Sequence, residues 1–154
     1  YRVVGDGLLR GDLEQMIEHM GIERQVKLLG WKTHEEVKRL LEESHVLVAP
    51  SLTSEGGDQE GIPNAIKEAM ASGLPVISTF HSGIPELVTD GVTGILVPER
   101  DADSLADSLA YLIRNPDVCK KMGQAGRRQV EQKFDTHRLN KKLEELYLDV
   151  MRKP

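Results

Sequence analysis

The chain has 154 residues, enough for one domain with a sizeable hydrophobic core. Charged residues make up 29% of the sequence, and the two signs are interspersed around a formal net charge of −5, so no basic stripe indicates nucleic acid or anionic lipid as a partner. No apolar run reaches the length of a membrane-spanning helix, and we therefore expect no transmembrane segment in this sequence.

The one cysteine, Cys119, cannot form a disulfide within the chain. It lies at an apolar helical position beside Val118 and Met122, which predicts a buried and inert thiol. A reduced thiol of this kind is typical of a cytoplasmic protein.

Residues 1–5 predict a short strand that leads into a Gly-Asp-Gly turn and a helix over about residues 8–20. Such a turn suggests a dinucleotide site, but the third glycine, Gly11, comes one residue late. The second strand, residues 26–29, also ends in Gly30 and Trp31 rather than in an acid that could bind a ribose, which disfavours NAD or FAD. Because the chain starts within a strand, we expect it to be a fragment.

Thr33 and Glu36 have the spacing of a capping box, which predicts the start of a helix that extends to about Glu43. Residues 45–50 form a nearly continuous apolar run, as expected of a strand that a parallel sheet buries on both faces. This third strand ends at Ser51. Ligands of open α/β sheets bind beyond the carboxyl ends of the strands, so Ser51 is a candidate binding residue.

Residues 55–73 predict a flexible loop followed by a short helix. Gly56 and Gly57 let the backbone bend closely around a ligand, and Pro63 fits the first helical turn. Gly73 is placed to end the helix in a left-handed conformation. Because a helix N terminus presents free amides and a partial positive charge, the pattern predicts a site for an anion such as a phosphate.

Glu60 precedes this helix, and Asn64 and Glu68 lie one turn apart on it, so the three side chains can face one ligand. Carboxylates do not suit a phosphate, but they accept hydrogen bonds from hydroxyl groups. The pattern therefore predicts a ligand with phosphate in the middle and polyols at both ends, as in a nucleotide sugar. In the other interpretation, Glu60 and Glu68 are ordinary solvated acids.

A fourth strand, residues 76–79, leads into a second loop of small residues, 81–86. Two interpretations stay open: the loop lies against the bound ligand, or Gly83 makes the turn and Glu86 caps or ties the loop. A turn at residues 90–94 and a fifth strand at residues 95–97 follow.

The remaining sequence predicts helices. Asp101 caps the first, Asn115 and Pro116 begin the second, and Asp135 begins a C-terminal helix, 135–154. Strands that alternate with helices predict an α/β fold, a Rossmann-like three-layer α/β/α domain with a parallel sheet of about five strands.

The pair Glu60 and Glu68, separated by seven residues within the segment 60–76, resembles the donor-site signature of retaining GT-B glycosyltransferases of family four, glycosyltransferase group 1. The resemblance extends over residues 1 to about 150 and includes the segments 5–7, 29–31, 83–88 and 90–94. It implies that residues 1–154 are a C-terminal, nucleotide-sugar-binding domain, one half of a GT-B fold. The last helix would pack on a missing N-terminal acceptor domain.

The resemblance also implies the roles of site residues. Glu60 and Glu68 would be the catalytic-site pair, with Glu60 on sugar hydroxyls and Glu68 on the ribose. The arginine and lysine that clamp the diphosphate in family members are not in this sequence. Residues implied to bind the base are Gly30, Trp31 and Lys32, and those implied to bind the sugar and diphosphate are Gly61, Ile62 and Asn64.

The implied activity is transfer of a hexosyl-type group from a UDP- or GDP-sugar to an acceptor with retention of configuration, in polysaccharide or glycoconjugate biosynthesis. Neither a metal nor another cofactor is expected, and the isolated chain should bind the nucleotide sugar weakly without catalysing transfer. A nucleotide-sugar epimerase of GT-B type and a non-catalytic nucleotide-binding module are the alternatives. The expected location is cytoplasmic, and attachment to the inner face of the membrane through the missing domain stays open.

Overall fold

The computed structural model describes residues 1–53 and 61–152. The chain divides into two compact units, Tyr1–Glu43 and Ser44–Pro154. Residues 54–60, which include most of the predicted loop and the candidate Glu60, lie outside the described residues. The assignment of residues 1–154 to one nucleotide-sugar-binding domain stays a prediction.

The first unit contains two strands and two helices: β1 (Arg2–Val3), α1 (Arg10–Met20), β2 (Lys27–Leu28) and α2 (His34–Glu42). The two strands pair in parallel. The predicted capping box is confirmed, because the Glu36 amide donates to the Thr33 hydroxyl while the Thr33 amide donates to the Glu36 carboxylate. This exchange fixes where α2 begins.

The second unit contains the remaining elements: β3 (Leu47–Ala49), α3 (Asn64–Ala71), β4 (Val76–Thr79), α4 (Ile84–Leu87), β5 (Gly94–Val97), α5 (Ala102–Arg114), α6 (Pro116–Lys133) and α7 (Thr136–Arg152). Its three strands form a parallel sheet in the order β3-β4-β5. Because the strands are parallel, their carboxyl ends lie at one edge of the sheet, and the loops after them meet there.

The five predicted strands are all present and their pairing is parallel, which confirms the α/β class. Their backbone hydrogen bonds group them as a two-stranded sheet in the first unit and a three-stranded sheet in the second. Strand periodicity identifies each strand, but pairing depends on contacts between distant parts of the chain, so the grouping required the structure.

The core of the second unit is built around its central strand. All four residues of β4 are buried, and Ile77 packs with Leu112 of α5 and Met122 of α6. Helix α3 packs against α6 where a glycine permits close contact, since a Cβ on Gly123 would lie 2.0 Å from the carbonyl oxygen of Gly73. This packing anchors α3 at the sheet.

Several predicted helix ends are confirmed, and the start of α3 is shifted slightly. Gly73 follows α3 with φ +78°, and the Ser104 amide donates to the Asp101 carboxylate at the start of α5. Pro63 lies just before α3 rather than in its first turn. The C-terminal helix, predicted over residues 135–154, is described as Thr136–Arg152, and the Arg138 amide donates to the Asp135 carboxylate at its start.

Helix α7 has no buried residue and exposes apolar side chains, among them Tyr147. Within the described ranges, no helix combines the length and the apolar character that crossing a bilayer requires. Cys119 is half-buried rather than buried: its thiol donates to the carbonyl of His45, and partial burial raises the pKa of the thiol.

Candidate functional site

The N terminus of α3 lies directly after the predicted loop. Pro63 precedes the helix with φ −59° and provides no side-chain cap for the amides of the first turn. Gly61 is exposed there and Ile62 is half-buried. Amides that no side chain of the described residues caps, together with the helix dipole, give this end of α3 the electrostatics of an anion site.

Two of the three polar residues that were predicted to face one ligand are described. Asn64 is exposed and Glu68 is half-buried one turn later. Glu68 is therefore partly accessible at the surface of α3. Glu60, the third member, lies outside the described residues, so its placement stays a prediction.

The loop after β4 contacts the turn that leads into α3. A Cβ on Gly83 would lie 2.8 Å from a side-chain carbon of Ile62, so the two segments touch where the glycine has no side chain. This favours the interpretation that the second loop lies against the predicted site. Glu86 is exposed, and in the described part of the chain it is His81, not Glu86, whose side chain ties this loop.

Ser51 follows β3 at the carboxyl edge of the sheet and is fixed through its backbone. Its carbonyl accepts a hydrogen bond from the Thr79 hydroxyl at the end of β4, and the Ser78 hydroxyl donates to the carbonyl of Ala49. Both donors are buried. The backbone that leads into the predicted ligand loop is therefore fixed by the neighbouring strand.

A further cluster at this edge was not predicted from the sequence. The Glu99 carboxylate, in the loop after β5, accepts a hydrogen bond from the Thr53 amide (2.9 Å) and one from His81 Nδ1 (2.7 Å). The Thr53 amide, followed by His81, holds the pKa of the Glu99 carboxyl below its usual range. The loops after β3, β4 and β5 are thus joined by one carboxylate.

The backbone beside this cluster has an unusual conformation. Ser82 has φ +45° and Arg100 has φ +63°, and these are the residues that follow His81 and Glu99. Residues other than glycine rarely adopt a positive φ. This backbone conformation costs about 1–3 kcal/mol per residue and occurs preferentially at functional sites.

The three residues predicted to meet the base lie in the first unit. Gly30 has φ +67°, Trp31 is 76% exposed, and the Lys32 ammonium donates to Glu36 at 3.3 Å. The backbone amide of Thr33, its hydroxyl and then Lys32 lower the pKa of Glu36 to about 2. The exposed indole offers a surface for a planar ring.

Across the described residues, no three His, Cys, Asp or Glu side chains form a group that could hold a metal ion. Within the described ranges, the second unit instead offers the N terminus of α3 without a side-chain cap, together with the polar side chains of Asn64 and Glu68. This arrangement can bind a ligand that combines an anionic group with hydroxyl groups.

The family model described as "Glycosyl transferases group 1" matches residues 1–129. The chain is 44% identical over 146 residues to the amylovoran biosynthesis glycosyltransferase AmsK of Erwinia amylovora, an alignment that covers 95% of this chain and 36% of AmsK. It is 42% identical over 147 residues to the putative colanic acid biosynthesis glycosyltransferase WcaL of Escherichia coli, with the same coverage. The chain therefore belongs to the glycosyl transferases group 1 family.

Solved structures give the same fold. The crystal structure of Anabaena Alr3699/HepE in complex with UDP and glucose superimposes with a TM-score of 0.85 at 26% identity, over 96% of this chain and 40% of that one. The fold is thus one half of a GT-B glycosyltransferase, which confirms the prediction. This chain spans about a third of the length of the curated relatives it matches.

Proposed function

We propose that this chain is the donor-binding domain of a retaining glycosyltransferase and that the full-length protein transfers a glycosyl group from a UDP- or GDP-sugar to an acceptor. The observation that carries the proposal is the N terminus of α3, which no described side chain caps, with Asn64 and Glu68 one turn apart on the helix and Ser51 at the neighbouring strand end. The similarity to a protein crystallised with UDP and glucose supports a nucleotide sugar as the ligand.

In the proposed reaction, the amides at the start of α3, with Gly61 and Ile62 before it, bind the diphosphate and part of the sugar. Glu60 accepts hydrogen bonds from sugar hydroxyls, and Glu68 does so from the ribose. The acceptor attacks from the face that the nucleotide diphosphate leaves, and the leaving phosphate takes the proton that the acceptor loses. We propose that no metal takes part, because helix amides and cations outside this sequence neutralise the diphosphate.

The segment 30–32 is the base-binding segment in this proposal. Gly30, Trp31 and Lys32 would contact the base, mainly through backbone atoms. The names of AmsK and WcaL refer to the biosynthesis of amylovoran and colanic acid, and we propose that the full-length protein acts in polysaccharide or glycoconjugate biosynthesis. We propose a cytoplasmic location, as the single cysteine suggests, and attachment to the inner face of the membrane through the acceptor domain stays open.

The decisive test is a product assay of the full-length protein with UDP-glucose, UDP-galactose and GDP-mannose. We expect transfer to an acceptor, and Glu60→Ala should lower kcat/KM by the equivalent of about 2–4 kcal/mol, as for one preorganised polar group. Asp107→Ala, which removes an exposed acid on α5, is the control and should leave kcat/KM unchanged. An epimerised nucleotide sugar without transfer would favour the epimerase instead, and binding without turnover would favour the non-catalytic module.

Glu68→Gln should weaken the binding of UDP or GDP while the melting temperature stays nearly constant, because glutamine supports a helix almost as well as glutamate. Calorimetric titration and thermal melting measure the two effects. A large loss of melting temperature at unchanged nucleotide affinity would show that Glu68 is structural.

The 154-residue chain alone should bind a nucleotide sugar with a Kd nearer to about 1 mM than to about 1 µM. Catalysis is not expected from it, because positioning of donor and acceptor supplies roughly 7–11 kcal/mol of such a barrier. Measurable transfer by the chain alone would contradict this.

A further inference from the structure

His81 lies at the carboxyl edge of the three-stranded sheet, two residues after β4. Its side chain is 1% exposed, while its partner Glu99 is 27% exposed. A carboxylate only accepts hydrogen bonds, so His81 donates through Nδ1, and this bond fixes the ring orientation. Glu99 also binds the Thr53 amide, so the imidazole is connected through one carboxylate to the backbone that leads out of β3.

The other ring nitrogen, Nε2, is buried and has no hydrogen-bond partner in the part of the chain that the structure describes. Burying a polar atom without a partner is unfavourable. An apolar side chain would fill the same volume without that penalty. The hydrogen bond between Nδ1 and Glu99, rather than packing, therefore explains why a histidine occupies this position.

The hydrogen bonds of Glu99 with Thr53 and His81, here called the Glu99 tie, act on residues of the proposed donor site. Thr53 lies two residues after Ser51, whose carbonyl is bound by Thr79, so the backbone between Ser51 and Thr53 is held at both ends. Two residues after His81, Gly83 contacts Ile62 in the turn before α3. Moving His81 would therefore shift the loop after β3 and the turn before α3 together.

We propose that His81 is a positioning residue for glycosyl transfer: through Glu99 it fixes the strand ends that carry Ser51 and the turn before α3 in the geometry that binds the nucleotide-sugar donor. This role rests on the proposed function. His81 does not contact the reacting atoms, and the effect passes through Thr53 and the loop after β4.

The test uses two variants of the full-length protein that separate the ring nitrogens. In His81→Asn the side-chain amide can donate near the position of Nδ1 and keep the Glu99 bond, whereas in His81→Gln the amide reaches toward the position of Nε2 and loses it. We expect His81→Gln to raise the donor KM about tenfold or more with a smaller change in kcat, since small displacements of binding groups have large effects. His81→Asn should stay within about threefold of wild type.

Thr93→Val is the matched control. Thr93 is similarly buried, and its hydroxyl accepts from the Thr89 amide, but it precedes β5 at the opposite, amino end of the strand. This variant should lower the melting temperature and leave the donor KM unchanged. His81→Gln at wild-type KM, His81→Asn as impaired as His81→Gln, or an equal KM increase in Thr93→Val would each overturn the proposal.

The wild-type assay separates this inference from the proposed function. Failure of the wild-type protein to transfer sugar from any of the three donors would overturn both. Transfer by wild type together with normal kinetics of His81→Gln would overturn the positioning role and leave the glycosyltransferase assignment intact.

Discussion

Glu36 in the first unit and Glu99 in the second bind the same kinds of group. Each carboxylate accepts a hydrogen bond from a backbone amide, that of Thr33 for Glu36 and that of Thr53 for Glu99. Each also binds a basic side chain, Lys32 and His81 respectively. In both cases the backbone amide contributes most to lowering the pKa of the carboxyl. The difference lies in sequence separation: Glu36 binds residues three and four positions away, and Glu99 binds residues 46 and 18 positions away.

This difference assigns the two carboxylates different roles. The Glu36 bonds form as soon as one helical turn forms, so they set the start of α2. The Glu99 bonds can form only when β3, β4 and β5 are already paired. They then fix the relative positions of the three strand ends. The Glu36 bonds, the local tie, stabilise helix α2. The Glu99 bonds, the long-range tie, position residues of the candidate site.

The largest expected effect comes from breaking the sheet that the Glu99 tie requires. In Gly94→Ala the new Cβ would lie 2.3 Å from the carbonyl oxygen of Val76, so β4 and β5 must move apart. We expect the free energy of unfolding to fall by about 3 kcal/mol, measured by urea denaturation, as in severe overpacking.

Gly11→Ala is the control for that measurement. A Cβ on Gly11, within α1, meets no atom within 4 Å, and alanine is a better helix former than glycine. Stability should stay equal or rise by about 0.5–1 kcal/mol. Equal losses in Gly11→Ala and Gly94→Ala would show that the close approach at Gly94 is not the cause.

Removing the long-range tie itself should affect catalysis more than folding. Glu99→Ala deprives both Thr53 and His81 of their partner, and in the full-length protein we expect kcat/KM to fall about 10–100-fold, as for a misplaced site. Glu131→Ala, which breaks an exposed pair with Arg127, should have almost no effect. Retention of wild-type kcat/KM by Glu99→Ala would refute the positional role of the tie.

Removing the local tie at Glu36 should instead affect folding more than catalysis. Thr33→Ala takes away the side-chain cap of α2 and should lower the free energy of unfolding of the first unit by about 1 kcal/mol. Hydrogen exchange of the α2 amides measures this loss. Thr33→Ser keeps the hydroxyl and should exchange like wild type; faster exchange in the serine variant would mean that the methyl group matters more than the cap.

The smallest expected effect is a pH dependence of the same helix. The pKa of Glu36 is lowered from 4.5 to about 2 in the folded protein, so its contribution to stability is fully present above pH 4.5 and is lost as pH falls toward 2. An NMR titration of the Glu36 carboxyl carbon should have a midpoint near 2. Glu36→Gln should remove this acid-dependent loss in the exchange rates of α2, and an unshifted midpoint would contradict the prediction.

The sequence by itself determined the local features. The spacing of Thr33 and Glu36 predicted their mutual hydrogen bonds, Gly73 predicted a left-handed helix end, and the apolar run at residues 76–79 predicted β4. Each of these rests on groups within a few residues of one another, where backbone geometry dictates which atoms can meet. The family resemblance and the α/β class followed from such local patterns and are confirmed.

Tertiary structure decided which distant residues meet. The sequence marked the loop at residues 81–86 but did not decide between a ligand contact and a simple turn, and it contained no signal for Glu99. Glutamates on loops are common, and no periodicity connects position 99 with positions 53 and 81. The pairing of β3, β4 and β5 brings the three residues to one sheet edge, because the carboxyl ends of parallel strands converge there.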